Sequence, residues 1–548
     1  MSDSIKITLA QINSTVGDLD DNCRKMLDVW KENDEQHNLI IFPELFLCGY
    51  PPEDLVLNQA FIKEVEHKVH NLCKKTQELQ SAALIPAPWQ ENGKTYNAAI
   101  LIEHGNIVQI IKKHKLPNDY VFDEDRIFVP TPRPEITDFH THKLGIMICE
   151  DIWHKETAQQ MKEQGAQTLI VINASPFHAE QHNNRRAILH KRIEEVSLPV
   201  IYLNLVGGQD ELIFDGGSMV IDANKNTLYQ APFFQNDIAS ISLKGSNITC
   251  PQTKDVPILS EAQALYEAVK TGLRDYVQKN GFNKVLIGLS GGIDSALTAA
   301  IAVDALGNEH VRCVMLPSEF TSQDSLDDAQ QCADNLRVPY EIIKISNTVQ
   351  SLEKAIPNLS GVAHENTQSR VRGTILMALS NTHGEMLITT GNKSEMAVGY
   401  CTLYGDMNGG YNPLKDLYKT QVYALSEWRN TQGRAIPERI LTKAPSAELR
   451  PDQTDQDSLP PYDLLDDILY LLIECDNVDW DTAPEELQRL KTRCTEHPDD
   501  VRHIAKLLKI TEYKRFQAPP GARLSFRAFG RDRRYPMTNG FINKIEKE

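Results

Sequence analysis

The chain has 548 residues, which at roughly 150 residues per domain excludes a single small module. Its 57 Lys and Arg against 75 Asp and Glu give a formal net charge of −18, which disfavours nonspecific binding to nucleic acid or to an anionic membrane. Because the sequence shows no membrane-length apolar run, no secretory leader and no C-x-x-C pair among its scattered cysteines, we expect a cytoplasmic protein whose partners are small molecules.

Short apolar runs alternate with helical patterns over residues 1–242. The runs typical of buried strands are IKITLAQIN, NLIIFPELFLCGY, KLGIMICEDIW, TLIVINASPF and VIYLNLVGG. Two further alternating runs flank HGN, which predicts a hairpin that turns at Gly105. These patterns predict a mixed α/β domain over residues 1–242.

The segment 243–259 loses periodicity and collects Pro, Ser, Thr and Asn, which predicts a linker. A capping pattern at Ser260 and Gln263 then begins an amphipathic helix that ends at Gly281. The runs KVLIGLS, DSALTAAIAVDALG, RCVML and YEIIKIS follow in βαβ order. This order predicts a second domain over residues 260–548, built on a parallel sheet.

The motif SGGIDS at 290–295 lies between a predicted strand and a predicted helix. Gly291 and Gly292 allow close approach of a ligand, and the loop amides with the helix N-terminus form a phosphate cradle. Asp294 is a suitable magnesium ligand, so we expect it to hold a metal that bridges a pyrophosphate group. The alternative is a tight Gly-Gly turn capped by Ser and Asp. The sequence has no G-x-x-x-x-G-K-[ST], so this is not a Walker P-loop.

The loop resembles the PP-loop of the ATP pyrophosphatases, which split ATP between its α and β phosphates to adenylate a substrate. The segments at 387–423 and 436–469, which contain TTGNKSE, LYKTQ and KAPSAELRP, resemble the NAD synthetases. This resemblance implies ATP and Mg²⁺ as cofactors and deamido-NAD, the acid dinucleotide, as a substrate. It places ATP at Gly288, Leu289, Ser290, Gly291, Gly292, Ile293, Asp294, Ser295, Thr390 and Lys419.

The same resemblance implies the remaining ligands of the second half. It places Mg²⁺ at Asp294 and Glu395, and deamido-NAD at Asn366, Arg370, Glu395 and Lys514. The chain departs from the pattern at Leu403, where ammonia-only members of the family carry Lys. That contact is therefore not implied for this chain.

Three residues of the first half each lie at or near the end of a predicted strand: Glu44, Lys113 and Cys149. Cys149 is a candidate nucleophile, Glu44 a candidate general base, and Lys113 a candidate for stabilising an oxyanion. Two alternatives stay open at this point. A cysteine that ends an apolar strand is usually a small core residue, and Lys115 shares a strand face with Lys113.

These three residues resemble the Glu-Lys-Cys triad of the nitrilase superfamily, and the family spacing K-x-x-L-P-N selects Lys113. The segments NASPF and VGGQDELIFDGGS resemble the glutaminase branch that is fused to NAD synthetases. The resemblance implies that Glu124 orients the triad. It places glutamine at Tyr120, Glu150, Trp153 and Ser175, although LPNDYVFDE replaces the common LPNYGVFDE and either displaces the aromatic contact to Tyr120 or removes it.

Together the resemblances cover essentially the whole chain. They imply an α/β protein in which an αββα nitrilase-like sandwich precedes a parallel-sheet PP-loop domain. The implied activity is a ligase that hydrolyses glutamine, passes ammonia internally, adenylates deamido-NAD with ATP and amidates it to NAD. Nitrilase-like domains commonly associate, so we expect a homo-oligomer. The alternatives are another PP-loop glutamine amidotransferase and a non-catalytic sensor of nucleotide or glutamine.

Two basic segments remain. HNNRRAILHKR at 182–192 lacks interleaved aromatic residues, so it predicts a solvated helix face and not an RNA-binding helix. The Arg-rich segment at 523–536 predicts either contacts to dinucleotide phosphates across a subunit interface or an ordinary protein surface.

Overall fold

The computed structural model describes residues 4–245, 247–250, 256, 258–451, 453–475 and 478–540. The chain forms two compact units, one inside residues 1–258 and the other inside residues 259–548. Each unit has its own sheets and its own buried core, as separate domains do.

The first unit alternates strands and helices. Its strands are β1 (Ile5–Gln11), β2 (Asn38–Ile41), β3 (Ala82–Glu91), β4 (Lys94–Glu103), β5 (Asn106–Lys112), β6 (Thr137–Phe139), β7 (His142–Ile148), β8 (Thr168–Asn173), β9 (Val200–Asn204), β10 (Val206–Gln209), β11 (Leu212–Asp215), β12 (Met219–Ile221), β13 (Thr227–Gln230), β14 (Asp237–Lys244) and β15 (Asn247–Thr249). Its α-helices are α1 (Leu19–Glu32), α2 (Gln59–Lys75), α3 (Lys155–Glu163) and α4 (Gln181–Val196).

Two sheets of the first unit pack face to face. One has the order β15-β14-β1-β2-β3-β4-β5, and the other has the order β13-β12-β9-β8-β7-β6. Apolar side chains from both sheets share one core, which includes Ile7, Leu84, Ile146 and Ile201. Helices α1 and α2 pack on the outer face of the first sheet, and α3 and α4 on that of the second. The predicted αββα sandwich is confirmed.

Local sequence signals explain how these layers form. The Asp18 side chain accepts a hydrogen bond from the backbone N–H of Asp21 and so caps α1. Met26 and Trp30 recur at helical spacing on the buried face of this helix. The predicted hairpin forms between β4 and β5, with Gly105 at φ 74°, a left-handed conformation that favours glycine.

The first sheet continues into the segment that the sequence predicts to be a linker. Strand β14 extends to Lys244, and β15 pairs with it antiparallel inside 243–259. Gly245 makes the turn at φ 60°. A strand as short as β15 shows too little alternation to be recognised from sequence. Residues 251–255 and 257 of the predicted linker lie outside the described residues.

Helix α4 corrects the prediction of a solvated basic face, because Arg185 and Arg192 are buried. Arg185 donates to both carboxylate oxygens of Asp215 in β11, at 2.7 and 2.9 Å. A buried guanidinium requires such a partner. Asp215 is 30 residues away in sequence, so the helical pattern alone could not reveal the pair.

The second unit contains a small sheet surrounded by helices. Its strands are β16 (Val285–Gly288), β17 (Val311–Met315), β18 (Tyr340–Ile342) and β19 (Met386–Ile388). Its α-helices are α5 (Glu261–Lys279), α6 (Ile293–Leu306), α7 (Gln323–Leu336), α8 (Ser346–Ala355), α9 (Val362–His383), α10 (Lys393–Val398), α11 (Lys419–Thr431), α12 (Glu438–Thr442), α13 (Tyr462–Ile473), α14 (Glu485–Thr495), α15 (Pro498–Ile510) and α16 (Glu512–Arg515).

The sheet of the second unit is parallel, as predicted, with the order β18-β17-β16-β19. Ser260 caps α5 by accepting a hydrogen bond from the backbone N–H of Gln263. The short loop between β16 and α6 lies at the carboxyl edge of the sheet, where open α/β folds bind ligands. Among the described residues, no helix has both the length and the apolar character needed to cross a membrane.

Candidate active sites

A buried lysine joins two carboxylates in the first unit. The Lys113 ammonium donates to Glu44 Oε1 at 2.7 Å and to both oxygens of Glu124 at 2.9 and 2.8 Å. Burial alone lowers the pKa of Lys113, but the carboxylates of Glu124 and Glu44 reverse this effect and raise the pKa above its usual value. Lys113 therefore stays charged, and its ammonium is held by Glu124 as well as by Glu44.

Glu44 is held from two further directions. Asn97 Nδ2 donates to its Oε1 at 2.8 Å, and the backbone N–H of Ala174 donates to its Oε2 at 3.1 Å. Asn97 on β4 is a site residue that the sequence analysis missed, because nothing near it in sequence indicates that β4 passes Glu44. These contacts fix the orientation of the carboxylate.

Cys149 follows β7 and begins a short 3₁₀ helix, Cys149–Trp153. Its φ of 44° is unusual for a residue other than glycine and marks a sharp turn at the end of the strand. Burial and the nearby charge of Glu44 raise the pKa of the Cys149 thiol well above its usual value, and Lys113 opposes the rise. The thiol therefore needs a base, and Glu44 and Lys113 are both within electrostatic range of it.

Asp151 links the nucleophile segment to the lysine segment. Its Oδ2 accepts from the backbone N–H of Ile148 at 3.0 Å. Its Oδ1 accepts from the N–H groups of His114 at 3.1 Å and Lys115 at 2.8 Å. One buried carboxylate thus connects the residue before Cys149 to the two residues after Lys113. The only signal in the sequence is an acidic residue shortly after the strand.

The residues predicted to bind glutamine differ in exposure. Ser175 is buried, and its hydroxyl accepts hydrogen bonds from Arg185 Nε at 3.1 Å and Gln181 Nε2 at 3.3 Å. Glu150 and Trp153 are partly buried beside Cys149, whereas Tyr120 is 45% exposed. The basic run 182–192, which was predicted to be a solvated helix face, includes Arg185 but not Gln181, and neither residue was predicted to contact Ser175.

The second unit contains a cavity of about 320 Å³ at the carboxyl edge of its sheet. Every predicted ATP residue lines it: Gly288, Leu289, Ser290, Gly291, Gly292, Ile293, Asp294, Ser295, Thr390 and Lys419. Glu395 also lines the cavity, whereas Asn366, Arg370 and Lys514 are not among its lining residues. The loop is therefore open to a cavity and is not merely a turn.

Hydroxyl groups shape the loop. The Ser290 backbone N–H donates to Ser295 Oγ at 3.1 Å, and the Gly292 N–H donates to Ser290 Oγ at 3.3 Å. Gly291 has φ 81°, and a Cβ there would lie 2.4 Å from the carbonyl oxygen of Ser325. Only glycine fits this position, so the motif is required by both conformation and packing.

A second lysine lies between two carboxylates near the N-terminus of α6. The Lys419 ammonium contacts Asp294 Oδ2 at 2.5 Å and Glu395 Oε1 at 3.2 Å. Asn392 Nδ2 donates to Asp294 Oδ1 at 2.8 Å. Burial raises the pKa of Glu395 to about 8, with Lys419 opposing and Asp294 adding to the rise. Asp455, whose pKa burial also raises, is a further carboxylate on the cavity wall that the sequence analysis missed.

Three predicted dinucleotide residues converge on the segment 399–404. Asn366 Oδ1 accepts from the Thr402 hydroxyl at 2.8 Å, and Arg370 Nε donates to the Leu403 carbonyl at 3.1 Å. Lys514 donates to the carbonyls of Gly399 and Cys401, both at 2.8 Å. Cys401 itself lines the cavity. Asn366, Arg370 and Lys514 therefore hold a segment that forms part of the cavity wall.

The Arg-rich segment is tied into the second unit. Arg523 pairs with Asp532 at 2.7 Å, and Arg533 pairs with Glu512 at 2.6 Å; both arginines are buried. Neither of the two is an ordinary surface residue, because their guanidinium groups are engaged inside the fold.

Two family models match the chain. The carbon-nitrogen hydrolase model matches residues 6–249, and the NAD synthase model matches residues 265–518. A glutamine-dependent NAD(+) synthetase of Rhodobacter capsulatus is 43% identical over 557 residues, covering 98% of this chain and 99% of the relative. The corresponding protein of Aquifex aeolicus is 42% identical over 575 residues, covering 98% and 100%.

Solved structures agree with these relatives. The glutamine-dependent NAD+ synthetase of Acinetobacter baumannii, in complex with ADP, has a TM-score of 0.77 at 37% identity and covers 98% of this chain and 99% of its own. That of Cytophaga hutchinsonii has a TM-score of 0.78 at 20% identity, with 98% of each chain covered, which is a likeness of fold alone.

Proposed function

The chain belongs to the glutamine-dependent NAD(+) synthetases, and on that premise we propose which side chains carry each half of the reaction. The enzyme is a ligase that hydrolyses glutamine to glutamate and ammonia in its carbon-nitrogen hydrolase domain. Its NAD synthase domain adenylates the nicotinate carboxylate of deamido-NAD with ATP and then amidates it, giving NAD, AMP and pyrophosphate.

Cys149 is the nucleophile of the glutaminase half. Because its thiol is un-ionised at neutral pH, a base must take the proton as sulfur attacks the glutamine amide. Glu44 takes that proton, returns it to the departing ammonia, and then activates the water that hydrolyses the thioester. Lys113 stays charged and stabilises the oxyanion of each tetrahedral intermediate.

We propose that glutamine lies among Ser175, Glu150, Trp153 and Tyr120. The fixed position of Ser175, whose hydroxyl and carbonyl both accept from Arg185, supports a role in orienting the substrate. The partly buried carboxylate of Glu150 can accept from the ammonium group of glutamine.

In the synthetase half, the loop 290–295 holds the ATP phosphates through its amides and hydroxyls. Lys419 supplies a positive charge at the same place. A carboxylate is a poor acyl donor, so adenylation of the nicotinate group provides AMP as a leaving group before ammonia attacks. Asn366, Arg370 and Lys514 act on deamido-NAD beside the segment 399–404 that they hold.

The residues present fit a magnesium ion. Asp294 and Glu395 direct carboxylate oxygens at one cationic group, the Lys419 ammonium, and such oxygens are the ligands that Mg²⁺ prefers. Among the described residues, no group of three or more His, Cys, Asp or Glu could hold a metal by itself. Mg²⁺ would therefore share these two carboxylates with phosphate oxygens, and when bound it neutralises charge on the phosphates.

The observation that carries the glutaminase assignment is the Lys113 ammonium held between Glu44 and Glu124. Its test is the Cys149→Ala variant, assayed with deamido-NAD, ATP, Mg²⁺ and either glutamine or ammonia. We expect glutamine-driven synthesis to be lost and ammonia-driven synthesis to persist. Loss of both, or retention of both, would contradict the assignment. A comparison of acid substrates by pyrophosphate release separates NAD synthesis from other PP-loop amidations.

We also propose that ammonia passes between the two activities without mixing with bulk water, that the enzyme is cytoplasmic and that it forms homo-oligomers. The ten cysteines are scattered along the sequence with no C-x-x-C pair, which suits a reducing compartment. If an ammonia-trapping reaction suppressed glutamine-driven synthesis completely, internal passage would be refuted. Sedimentation analysis tests the oligomer.

A further inference from the structure

Three donors converge on one carboxylate oxygen at a wall of the ATP cavity. Glu448 Oε1 accepts from the hydroxyl of Ser322 at 2.8 Å, the hydroxyl of Ser325 at 2.7 Å and the ammonium of Lys443 at 3.2 Å. The Lys443 ammonium also donates to Ser325 Oγ at 2.6 Å. We call these four residues the Lys443 cluster.

The cluster has the chemistry of an anion site. Ser322 is the N-cap of α7, so the partial positive charge of this 14-residue helix adds to that of Lys443. Two hydroxyls, an ammonium and a helix N-terminus are a typical donor set for a phosphate oxygen. In this structure the anion that fills the site is the side chain of Glu448.

The cluster adjoins the phosphate loop. Ser325, Lys443 and Glu448 line the same cavity as residues 290–295. The carbonyl of Ser325 lies so close to Gly291 that a Cβ there would be 2.4 Å from it. The other end of the loop, at Asp294, instead contacts Lys419. The loop therefore lies between two lysines, and Lys443 is the one on the Gly291 side.

We propose that Lys443, with Ser322 and Ser325, binds the β- and γ-phosphates of ATP and then the pyrophosphate that they form, and that Glu448 is an internal competitor for this site. This inference rests on the ATP site proposed above. Lys419, with the carboxylates of Asp294 and Glu395, lies at the other end of the loop. The leaving pyrophosphate carries most of the charge and needs a second cation, which Lys443 supplies.

The proposal predicts opposite effects for two neighbouring side chains. Lys443→Ala removes a charged donor, so we expect the KM for ATP and the inhibition constant for inorganic pyrophosphate to rise by roughly 10–100-fold in ammonia-driven synthesis. Lys443→Arg keeps the positive charge, so both constants should stay close to those of the unmodified enzyme. Glu448→Gln removes the competing charge, so both constants should fall.

The matched control is Lys506→Ala, at an exposed lysine of α15, which should change neither constant. If Glu448→Gln raised the KM for ATP as Lys443→Ala does, the cluster would be a structural brace and the proposal would be wrong. Unchanged constants in Lys443→Ala would also overturn it. If Lys443→Ala failed to fold, Glu448→Gln would still decide between the two. An unmodified enzyme that made no NAD would instead refute the proposed function.

Discussion

Asp151 provides the sharpest test of how the glutaminase site is assembled, because its carboxylate accepts hydrogen bonds from backbone N–H groups on both sides of the site. Its carboxylate accepts from the N–H groups of Ile148, His114 and Lys115 at 3.0, 3.1 and 2.8 Å. Asp151→Ala removes the two carboxylate oxygens that accept these three hydrogen bonds and leaves the side chains of Glu44, Lys113 and Cys149 unchanged. We therefore treat Asp151 as a positioning residue.

The size of the expected rate loss follows from those contacts. A hydrogen bond to a charged group contributes about 1.5–3 kcal/mol, and a buried donor left unpaired costs about 1–3 kcal/mol. Ile148 is fully buried, whereas His114 and Lys115 are partly exposed and can bond to water. Misplacing a catalytic group by about 1 Å can lower a rate by about 100-fold. We expect a loss of about that size in the kcat of glutamine hydrolysis.

The assay compares glutamine-driven with ammonia-driven NAD synthesis in the same preparation. Ammonia-driven synthesis reports on the second unit and should be unchanged. Asp222→Ala is the matched control, because Asp222 also accepts backbone N–H groups, from Asn224 and Asn226 at 2.8 Å, in a partly exposed turn. A folded Asp151→Ala variant with normal kcat would refute the reasoning, as would an equal loss in Asp222→Ala.

Two further predictions follow from buried charge. Since burial and Glu44 raise the pKa of Cys149 well above its usual value, alkylation of Cys149 by iodoacetamide should accelerate from pH 7 to pH 9 without a plateau; a plateau below pH 8 would contradict this. Lys393→Met removes the cationic partner of Asp416 and Glu474, so the free energy of unfolding should fall by about 3–5 kcal/mol. Pulse proteolysis in urea measures this change, and the exposed control Lys506→Met should leave the free energy of unfolding unchanged.

The sequence was sufficient to predict the parts of the sites that depend on local pattern. The loop at 290–295 is recognisable because strand, glycines and helix follow one another along the chain, and the structure opens that loop to a cavity. Glu44 and Lys113 follow or end apolar runs, so strand ends could be predicted and the family spacing could select the lysine. In the structure, Lys113 Nζ lies 2.7 Å from Glu44 Oε1.

Contacts between distant segments could not be predicted. Arg185 is one of several basic residues in the run HNNRRAILHKR, and only the fold shows that it faces Asp215 and Ser175. Likewise the hydrogen bonds of Asp151 depend on where the segment after Lys113 passes, which no periodicity encodes. A sequence pattern indicates which face of an element is apolar, but the partner of each buried polar group depends on the assembled fold.

Three buried lysines show why charge pattern alone does not identify a catalytic residue. Lys113, Lys393 and Lys419 each lie between two carboxylates, and Lys393 is only two residues before Glu395 in the same motif.

Their surroundings distinguish them. Lys393 contacts Asp416, Glu474 and the Ser525 hydroxyl, and it is absent from the cavity lining, so its role is to join α10 to the segment near 525. Lys419 and both of its carboxylate partners line the cavity, where a phosphate or a metal can compete for the same contacts. Of these two groups in the second unit, only that of Lys419 lies on a cavity that a ligand can enter, whereas that of Lys393 serves stability.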